Sequence, residues 1–330
     1  MRILILVNEA LGIGAKQTTL RLIDVALKQD HSVVVLGVAD LGQSTEGVVW
    51  GLGRELSGVS HENDPALVAR IAATAPARIA LASADAMLIR TNPGRDPERR
   101  SLHFAALQLC RVAGRQGLRV LNDPSALQSA FSKLYLLELP PETRPQTLVG
   151  SDSEQLIEFI ASLDGPAVIK PINGSRGNDV FCVESAKDKN LRQILEVVLR
   201  SGHAMVQNFV PEAVRGDTRV LLVDGEILRV NGHPAAFRRI PSGSEFRSNL
   251  DQGGTTAQAA IDEGIERSVQ RIGPVLRRDG LFFVGLDFLG DKVCEVNAFS
   301  PGGVRAAYRY ERVDFTSELL RLLVQRWTTT

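Results

Sequence analysis

The chain begins with "RILILV", an uninterrupted apolar run that only a strand covered on both faces can carry, followed by "TTLRLIDVALKQD", whose apolar residues recur at helical spacing. "HSVVVLGV" repeats the strand pattern, and "ADAMLIRTNPG", the helical "SLHFAALQLCRVAGRQG" and the strand-like "LRVLNDP" continue the alternation. Parallel strands need crossover helices, and those helices then cover the sheet. The rhythm therefore predicts an α/β chain with an open, mostly parallel sheet over residues 1–125.

From "SALQSAFSKLYLLE" onward the rhythm changes, and Pro140, Pro141 and Pro145 mark a boundary. Shorter strands are predicted at "QTLVG", "PAVIKPI", "DVFCVE", "AMVQNFV", "TRVLLVDGEILRVNG" and "FFVGLDFLGDKVCEVN", with helices over 153–163, 189–201, 256–279 and 314–326. At 330 residues the chain is long enough for two or three cores. Lys plus Arg equals Asp plus Glu at 38 each, so no global field recruits nucleic acid or a membrane surface. Any bound anion must be held by a local site. The three cysteines are sparse and form no C-x-x-C pair, which points to a reducing cytoplasm. The apolar run in "MRILILVNEA" is too short for a signal peptide or a membrane span.

"LGIGAKQTT" lies where a phosphate loop would, but it lacks both the G-x-x-x-x-G-K-S/T spacing and the third glycine of the dinucleotide fingerprint. A strand-to-helix turn explains it as well. "AVIKPINGSRGNDVF" says more. Lys170 stands at a strand end, Pro171 stops the ladder, and a loop with Gly174 and Gly177 reverses the chain. Backbone N–H groups of such a loop can cradle phosphate while the lysine supplies charge. A lysine stem lying beside an ordinary turn gives the same letters. In "MVQNFVPEAVRGDTRVLLVDGE", a connector between domains would let the backbone of Gln207 to Val210 meet the edge of a base. Arg219, inside an apolar strand, needs an anionic partner, either a ligand or a structural carboxylate.

"VGLDFLGDKVCEVN" reads as a buried hairpin with Asp287, Glu295 and Asn297 where apolar residues belong. Glu295 and Asn297 share a strand face. A two-residue turn at Gly290 and Asp291 pairs Asp287 with Cys294, whereas a three-residue loop, Gly290 to Lys292, pairs it with Glu295 and gathers all three oxygen-bearing side chains. The second parity is expected. Carboxylates and an amide without His or thiolate suit a hard cation such as Mg²⁺ shared with phosphate oxygens. On a solvated face the two acids would instead repel each other across the strands.

Taken in order, "LNDPSALQSAFSKLY", "VIKPINGSRGNDVF", "VQNFVPEAVRGDTRVLLVDGE", "RIPSGSEFRSNLDQGG" and "RIGPVLRRDGLFFVGLDFLGDKVCEVN" resemble the ATP-grasp ligases, and among them the chain is most similar to the bacterial glutathione synthetases. The resemblance implies a Rossmann-like N-terminal substrate domain at 1–125, a small ATP-grasp (lid) subdomain at 126–205 and a catalytic subdomain at 206–330. It implies that ATP phosphorylates a carboxylate and an amine attacks the acyl phosphate. Lys133, Lys170 and the loop of Gly174 and Gly177 would hold the ATP phosphates; Gln207, Asn208 and Val210 would face adenine, with Asp217 near the ribose. Asp287, Glu295 and Asn297 would bind Mg²⁺ or Mn²⁺. Arg219 and Arg239 would stabilise developing negative charge, and Arg90, Arg247 and Ser300 would meet the substrate.

Partners implied in this way are small molecules, an acid and an amine, and no nucleic acid or membrane, with the chain a homo-oligomer. "RRIPSGSEFRSNLDQGG" is expected to form a mobile lid. The chain departs from the family where N-x-T-S-P-T-x-x-R-E becomes "NAFSPGGVRA", which puts Gly302 and Ala306 in place of a Thr and a Glu, and a short insertion lies near "RVNGHPA". Rival readings are an ATP-grasp ligase for another acid and amine pair, and a nucleotide-binding regulator without turnover.

Overall fold

The computed structural model describes residues 1–60, 63–174, 179–241 and 254–329. Gly177, Arg247 and most of the expected lid lie outside these residues.

The N-terminal sheet contains β1 (Arg2–Val7), β2 (Ser32–Gly37), β3 (Leu41–Gln43), β4 (Val49–Leu56), β5 (Ala77–Ala80), β6 (Ala86–Ile89) and β7 (Arg119–Leu121), in the order β3-β4-β2-β1-β6-β7 with β5 on β4. Helices α1 (Thr18–Lys28), α2 (Asp64–Ala73), α3 (Arg100–Arg115) and α4 (Pro124–Ser129) connect or follow its strands. The four strands β2, β1, β6 and β7 are parallel, as the apolar runs predict, while β4 extends the sheet antiparallel. Alternation along β1 sends Leu4 and Leu6 into one core and Ile3, Ile5 and Val7 into another, so both faces are buried. The strand order switches direction between β1 and β6, the point at which open parallel sheets generally form a crevice outside the strand C-termini.

The middle unit holds β8 (Thr147–Gly150), β9 (Ala167–Pro171), β10 (Phe181–Val183) and β11 (Ala204–Asn208) in the antiparallel order β10-β9-β11-β8, under α5 (Ser153–Ser162) and α6 (Leu191–Leu199). Its core is its own, built from Leu156, Ile160, Ile169, Leu195 and Val206 among others. Asp152 starts α5 by accepting from the N–H groups of Glu154 and Gln155.

The third sheet is antiparallel. It comprises β12 (Asp217–Val223), β13 (Glu226–Ile227), β16 (Ala236–Ile240), β17 (Thr255–Ala257), β18 (Phe283–Leu289) and β19 (Lys292–Asn297), ordered β17-β16-β12-β18-β19 with β13 on β12. A separate hairpin, β14 (Arg229–Val230) and β15 (His233–Pro234), turns through Asn231 and Gly232, both at positive φ. The "RVNGHPA" stretch forms this hairpin, and His233 Nδ1 meets Glu311 Oε2 at 2.7 Å. The "TRVLLVDGEILRVNG" run is broken at Asp224 and Gly225, both at positive φ, and again at Leu228, and so folds as three strands.

Helix α7 (Glu263–Arg278) starts later than its periodicity predicts, because Asp262 caps it through the Ile265 N–H and the preceding residues join β17. Two further helices, α8 (Val304–Glu311) and α9 (Phe315–Thr329), close the fold; α8 was not expected from the sequence. Val220 and Leu222 of β12 join the core that holds Leu4, and Leu221 and Val223 join the one that holds Ile3. The first and third sheets thus share two continuous cores. Asn122 fastens them: its amide donates to the carbonyls of Phe283 at 2.9 Å and Ala298 at 3.2 Å and accepts from Phe283 N–H at 2.8 Å.

Candidate active site

Strand pairing assembles the site. Arg219 on β12 lies opposite Asp287 on β18, Asp217 lies opposite Arg239 on β16, and Asp287 lies opposite Glu295 on β19. The expected acid pair is present, but not by the expected turn. Leu289 pairs with Lys292, so the turn has two residues, Gly290 and Asp291. A bulge after Asp287 leaves Cys294 as the extra residue and re-aims Glu295 onto the Asp287 face. The three-residue loop is therefore corrected to a short turn plus a bulge, with the same parity.

Asp287 has no exposure at all. Its Oδ1 accepts from Arg219 Nε, and its Oδ2 accepts from Arg219 Nη2 at 2.7 Å, Arg239 Nη2 at 2.5 Å and Asn297 Nδ2 at 3.2 Å. Arg239 also donates from Nε to Asp217 Oδ1 at 2.7 Å. Of the two open readings of Arg219, the structure shows the carboxylate partner, and that partner is Asp287. Burial alone would raise Asp287, but the Arg219 and Arg239 charges outweigh it and hold its pKa at about 2. Asp217 behaves oppositely: burial and the nearby Asp287 charge raise it to about 6 against the pull of Arg239. Glu295 is raised by burial and then by Asp287.

The middle unit supplies the other wall. Ala167 and Ile169 of β9 turn into the core beneath α5 and α6, so Lys170 leaves the opposite face. It is 7 % exposed and its Nζ donates to the Cys294 carbonyl at 3.5 Å. Lys133 precedes it in the chain and donates to the Gly174 carbonyl at 2.8 Å, where Gly174 takes φ 132°. Burial lowers Lys133 to about 8; the Glu295 charge raises it and Lys170 lowers it, so the two lysines and Glu295 face one another. Gln207 also lies on the cleft side of its sheet, but its amide donates to Thr147 Oγ1 at 2.9 Å. Asn208 pairs its N–H with the Gln146 carbonyl and leaves its buried Oδ1 without a partner, and Val210 caps the short 3₁₀ turn over Pro211–Arg215.

Arg90 follows β6, and Ser300, at positive φ, precedes the Pro301 whose carbonyl Arg90 meets. Arg90 is 4 % exposed, donates to Thr19 Oγ1 at 3.2 Å and to the Pro301 carbonyl at 2.9 Å, lies over the Phe283 ring, and leaves Nη1 unpaired. Burial pushes it down to about 9. Sequence reasoning missed Asn122 and the carbonyl of Cys294, whose partners are far away in the chain and leave no local signal. It also missed the buried chain of Asn8, Thr91, His103 and Asp96, in which His103 Nε2 meets Asp96 Oδ2 at 2.9 Å.

Two carboxylates and an amide on one face fit a hard divalent cation, and Asp287, Glu295 and Asn297 are the residues that would hold it. Among the described residues no group of three His, Cys, Asp or Glu is poised for a metal; Mg²⁺ commonly takes one or two carboxylates and completes its shell with water and substrate phosphates.

Residues 1–128 match the N-terminal domain of prokaryotic glutathione synthetase and residues 132–312 match its ATP-grasp domain. The chain belongs to the prokaryotic glutathione synthetase family. The glutathione synthetase of Coxiella burnetii is 31% identical over 317 residues, 96% of this chain and 93% of the relative. That of Parasynechococcus marenigrum is 39% identical over 259 residues, 77% and 80% of the two chains. Among solved structures, D-cycloserine synthetase DcsG superposes with a TM-score of 0.65 over 98% of this chain and 99% of its own, at 18% identity, a likeness of fold. The family is one of ATP-dependent, ADP-forming amide ligases that use Mg²⁺.

If Lys133 and Lys170 meet phosphate, as the sequence leads one to expect, polyphosphate affinity should depend on pH. Above pH 8 the Lys133 amine is neutral and must regain a proton when phosphate binds, so affinity is full below that value and declines above it. Lys170, also lowered by burial, adds to the decline. Affinity for a non-hydrolysable ATP analogue is expected to fall by up to about tenfold per pH unit between pH 8 and the ordinary lysine range. Lys133→Arg, which keeps its charge, should flatten the slope in a calorimetric titration.

Proposed function

We propose that the chain is a glutathione synthetase: γ-glutamylcysteine, glycine and ATP give glutathione, ADP and phosphate. What carries this reading is the meeting of Lys133, Lys170, Arg219 and Arg239 around Asp287 and Glu295, in a chain that matches an amide-ligase family over both of its domains. The γ-phosphoryl group passes to the substrate carboxylate and ADP departs. The amine then attacks the acyl carbon, loses a proton and expels phosphate.

In this reading Lys133 and Lys170 meet the phosphate oxygens, helped by the backbone at Gly174 and Gly177, and the backbone from Gln207 to Val210 meets the base, with Asp217 near the ribose. Arg219 and Arg239, fixed by their strands, face the charge that develops during transfer and so need little reorganisation. Bound Mg²⁺ supplies neutralisation of the phosphate charge. Arg90, Arg247 and Ser300 meet the peptide substrate. The domains are taken as 1–125, 126–205 and 206–330.

Turnover is expected to require both ATP and Mg²⁺ and to release ADP. A coupled assay that finds AMP and pyrophosphate would replace this reading with adenylation. No described helix is long and apolar enough to cross a membrane. The three cysteines are unpaired, which supports a reducing compartment, and we place the chain in the cytoplasm as a homo-oligomer, to be checked by native mass.

One observation favours a ligase for a different acid. A Cβ built on Gly302 meets no atom within 4 Å, so the chain leaves open room where the family carries a Thr, and Ala306 removes a carboxylate. If a γ-glutamyl ammonium is then poorly held, Gly302→Thr with Ala306→Glu should improve kcat/KM for γ-glutamylcysteine by about 1.5 to 3 kcal/mol, the scale of one charged hydrogen bond. High native activity that the pair of changes leaves alone assigns that work to other residues.

A further inference from the structure

As folded, Oδ2 of the Asp287 carboxylate has no acceptor position left. Arg219 Nε takes Oδ1, while Arg219 Nη2, Arg239 Nη2 and Asn297 Nδ2 take Oδ2. A carboxylate offers about two lone-pair sites on each oxygen, so three donors crowd Oδ2 while Oδ1 carries one. Around it, the cations Lys133, Lys170, Arg219 and Arg239 outnumber the acids Asp217, Asp287 and Glu295. A free divalent cation therefore meets a positive cluster whose central ligand is occupied. A polyphosphate meets the reverse, since a guanidinium fork suits phosphate as well as carboxylate.

The two arginines are not equivalent. Arg219 holds Asp287 through two nitrogens from the directly opposite strand position. Arg239 reaches it through Nη2 alone, while its Nε stays on Asp217 at 2.7 Å. Moving that one Nη2 to a phosphate oxygen breaks a single bond to Asp287 and leaves the guanidinium anchored.

We propose that Arg239, anchored by Asp217, is an exchangeable lock on the metal ligand Asp287, so that the nucleotide's phosphates must draw it away before the divalent cation can bind. Asp217 is then a positioning residue that keeps the released arginine at the phosphates. The proposal rests on the ligase reading and adds an order of binding, polyphosphate first and cation second. It also gives Asp217 and Arg239 a shared task that neither has alone.

The test uses the full chain and Mn²⁺ alone as probe, with free Mn²⁺ read by electron paramagnetic resonance. Without nucleotide, the wild type should bind Mn²⁺ weakly, and Arg239→Gln should bind it about tenfold more tightly or better, the scale of releasing one charge-assisted hydrogen bond. Adding Asp287→Asn to Arg239→Gln should abolish the gain, which ties it to that carboxylate. Should Arg239→Gln melt too early to use, Arg239→Lys keeps the charge but loses the fork, and should show part of the gain.

In a separate titration in EDTA, the wild type should bind a non-hydrolysable ATP analogue without metal, and Arg239→Gln should weaken that binding. Equal Mn²⁺ affinity in the wild type and both Arg239 variants overturns the lock, while analogue binding in the presence of Mg²⁺ leaves the ligase reading intact. No analogue binding under any condition overturns both.

Discussion

Asp287→Asn is expected to lower the metal-free melting temperature and abolish turnover, whereas Glu295→Gln should abolish turnover while leaving the melt unchanged or raised. From sequence the two acids look alike, a pair whose mutual repulsion either substitution relieves. The structure separates them. Asp287 compensates two buried arginines, and leaving these short of their counter-charge costs on the order of 3 to 5 kcal/mol. Glu295 is raised by burial and by Asp287, so its charge is a burden that an amide lifts.

The pH dependence follows from these directions. Asp287 falls to about 2 in the folded chain, so its stabilisation is fully present above the unfolded carboxylate value and is lost as pH falls toward 2. Glu295 moves the other way, and its cost appears as pH rises through the unfolded value. The gap between wild type and Asp287→Asn should therefore close on acidification. Both amides remove an oxygen anion from the proposed cation-holding set, a loss expected to be several kcal/mol of transition-state stabilisation, or about a thousandfold in rate. Metal-free melts and ADP-release rates at saturating Mg²⁺ provide the comparison. Asp287→Asn melting with the wild type would sink the idea that this acid holds the arginines.

The other large effect is expected from a single methyl group. Gly216, just before β12, has φ 92°, and a Cβ there would lie 1.9 Å from the Arg239 carbonyl oxygen. The obstacle is backbone, so either β16 must move off β12 or the turn must rebuild. Asp217 pairs with Arg239 at this very rung. Gly216→Ala is thus expected to cost about 3 kcal/mol or more and to remove activity with it. Gly302→Ala, with open space around its Cβ, should change stability by less than about 0.5 kcal/mol. Denaturant midpoints for the two variants make the check, and a wild-type midpoint for Gly216→Ala would mean that the rung is not tight.

Much of the architecture was legible because burial writes itself into periodicity. "RILILV" and "HSVVVLGV" could only be strands covered on both faces, and "SEQLIEFIAS" could only be an amphipathic helix. The site residues were legible because charged groups inside apolar strands demand partners. Arg219, Asp287 and Glu295 stood out for that reason, and the pairing of the two acids followed from chemistry alone.

What the letters could not carry was how that pairing is made and who neutralises whom. The bulge at Cys294 was invisible, because a hairpin with a three-residue loop and one with a short turn and a bulge have the same parity. The clash awaiting a side chain at Gly216 depends on a strand more than twenty residues away, and Asn122 depends on carbonyls still farther along the chain. By itself, then, the sequence determined which segments are strands or helices and which buried charges need an answer, since local periodicity and desolvation act residue by residue. Only the tertiary structure decided that Asp287 belongs first to Arg219 and Arg239, and that Lys170 from another sheet and Lys133 from a 3₁₀ turn face Glu295, because distance in space is set by packing and not by distance along the chain.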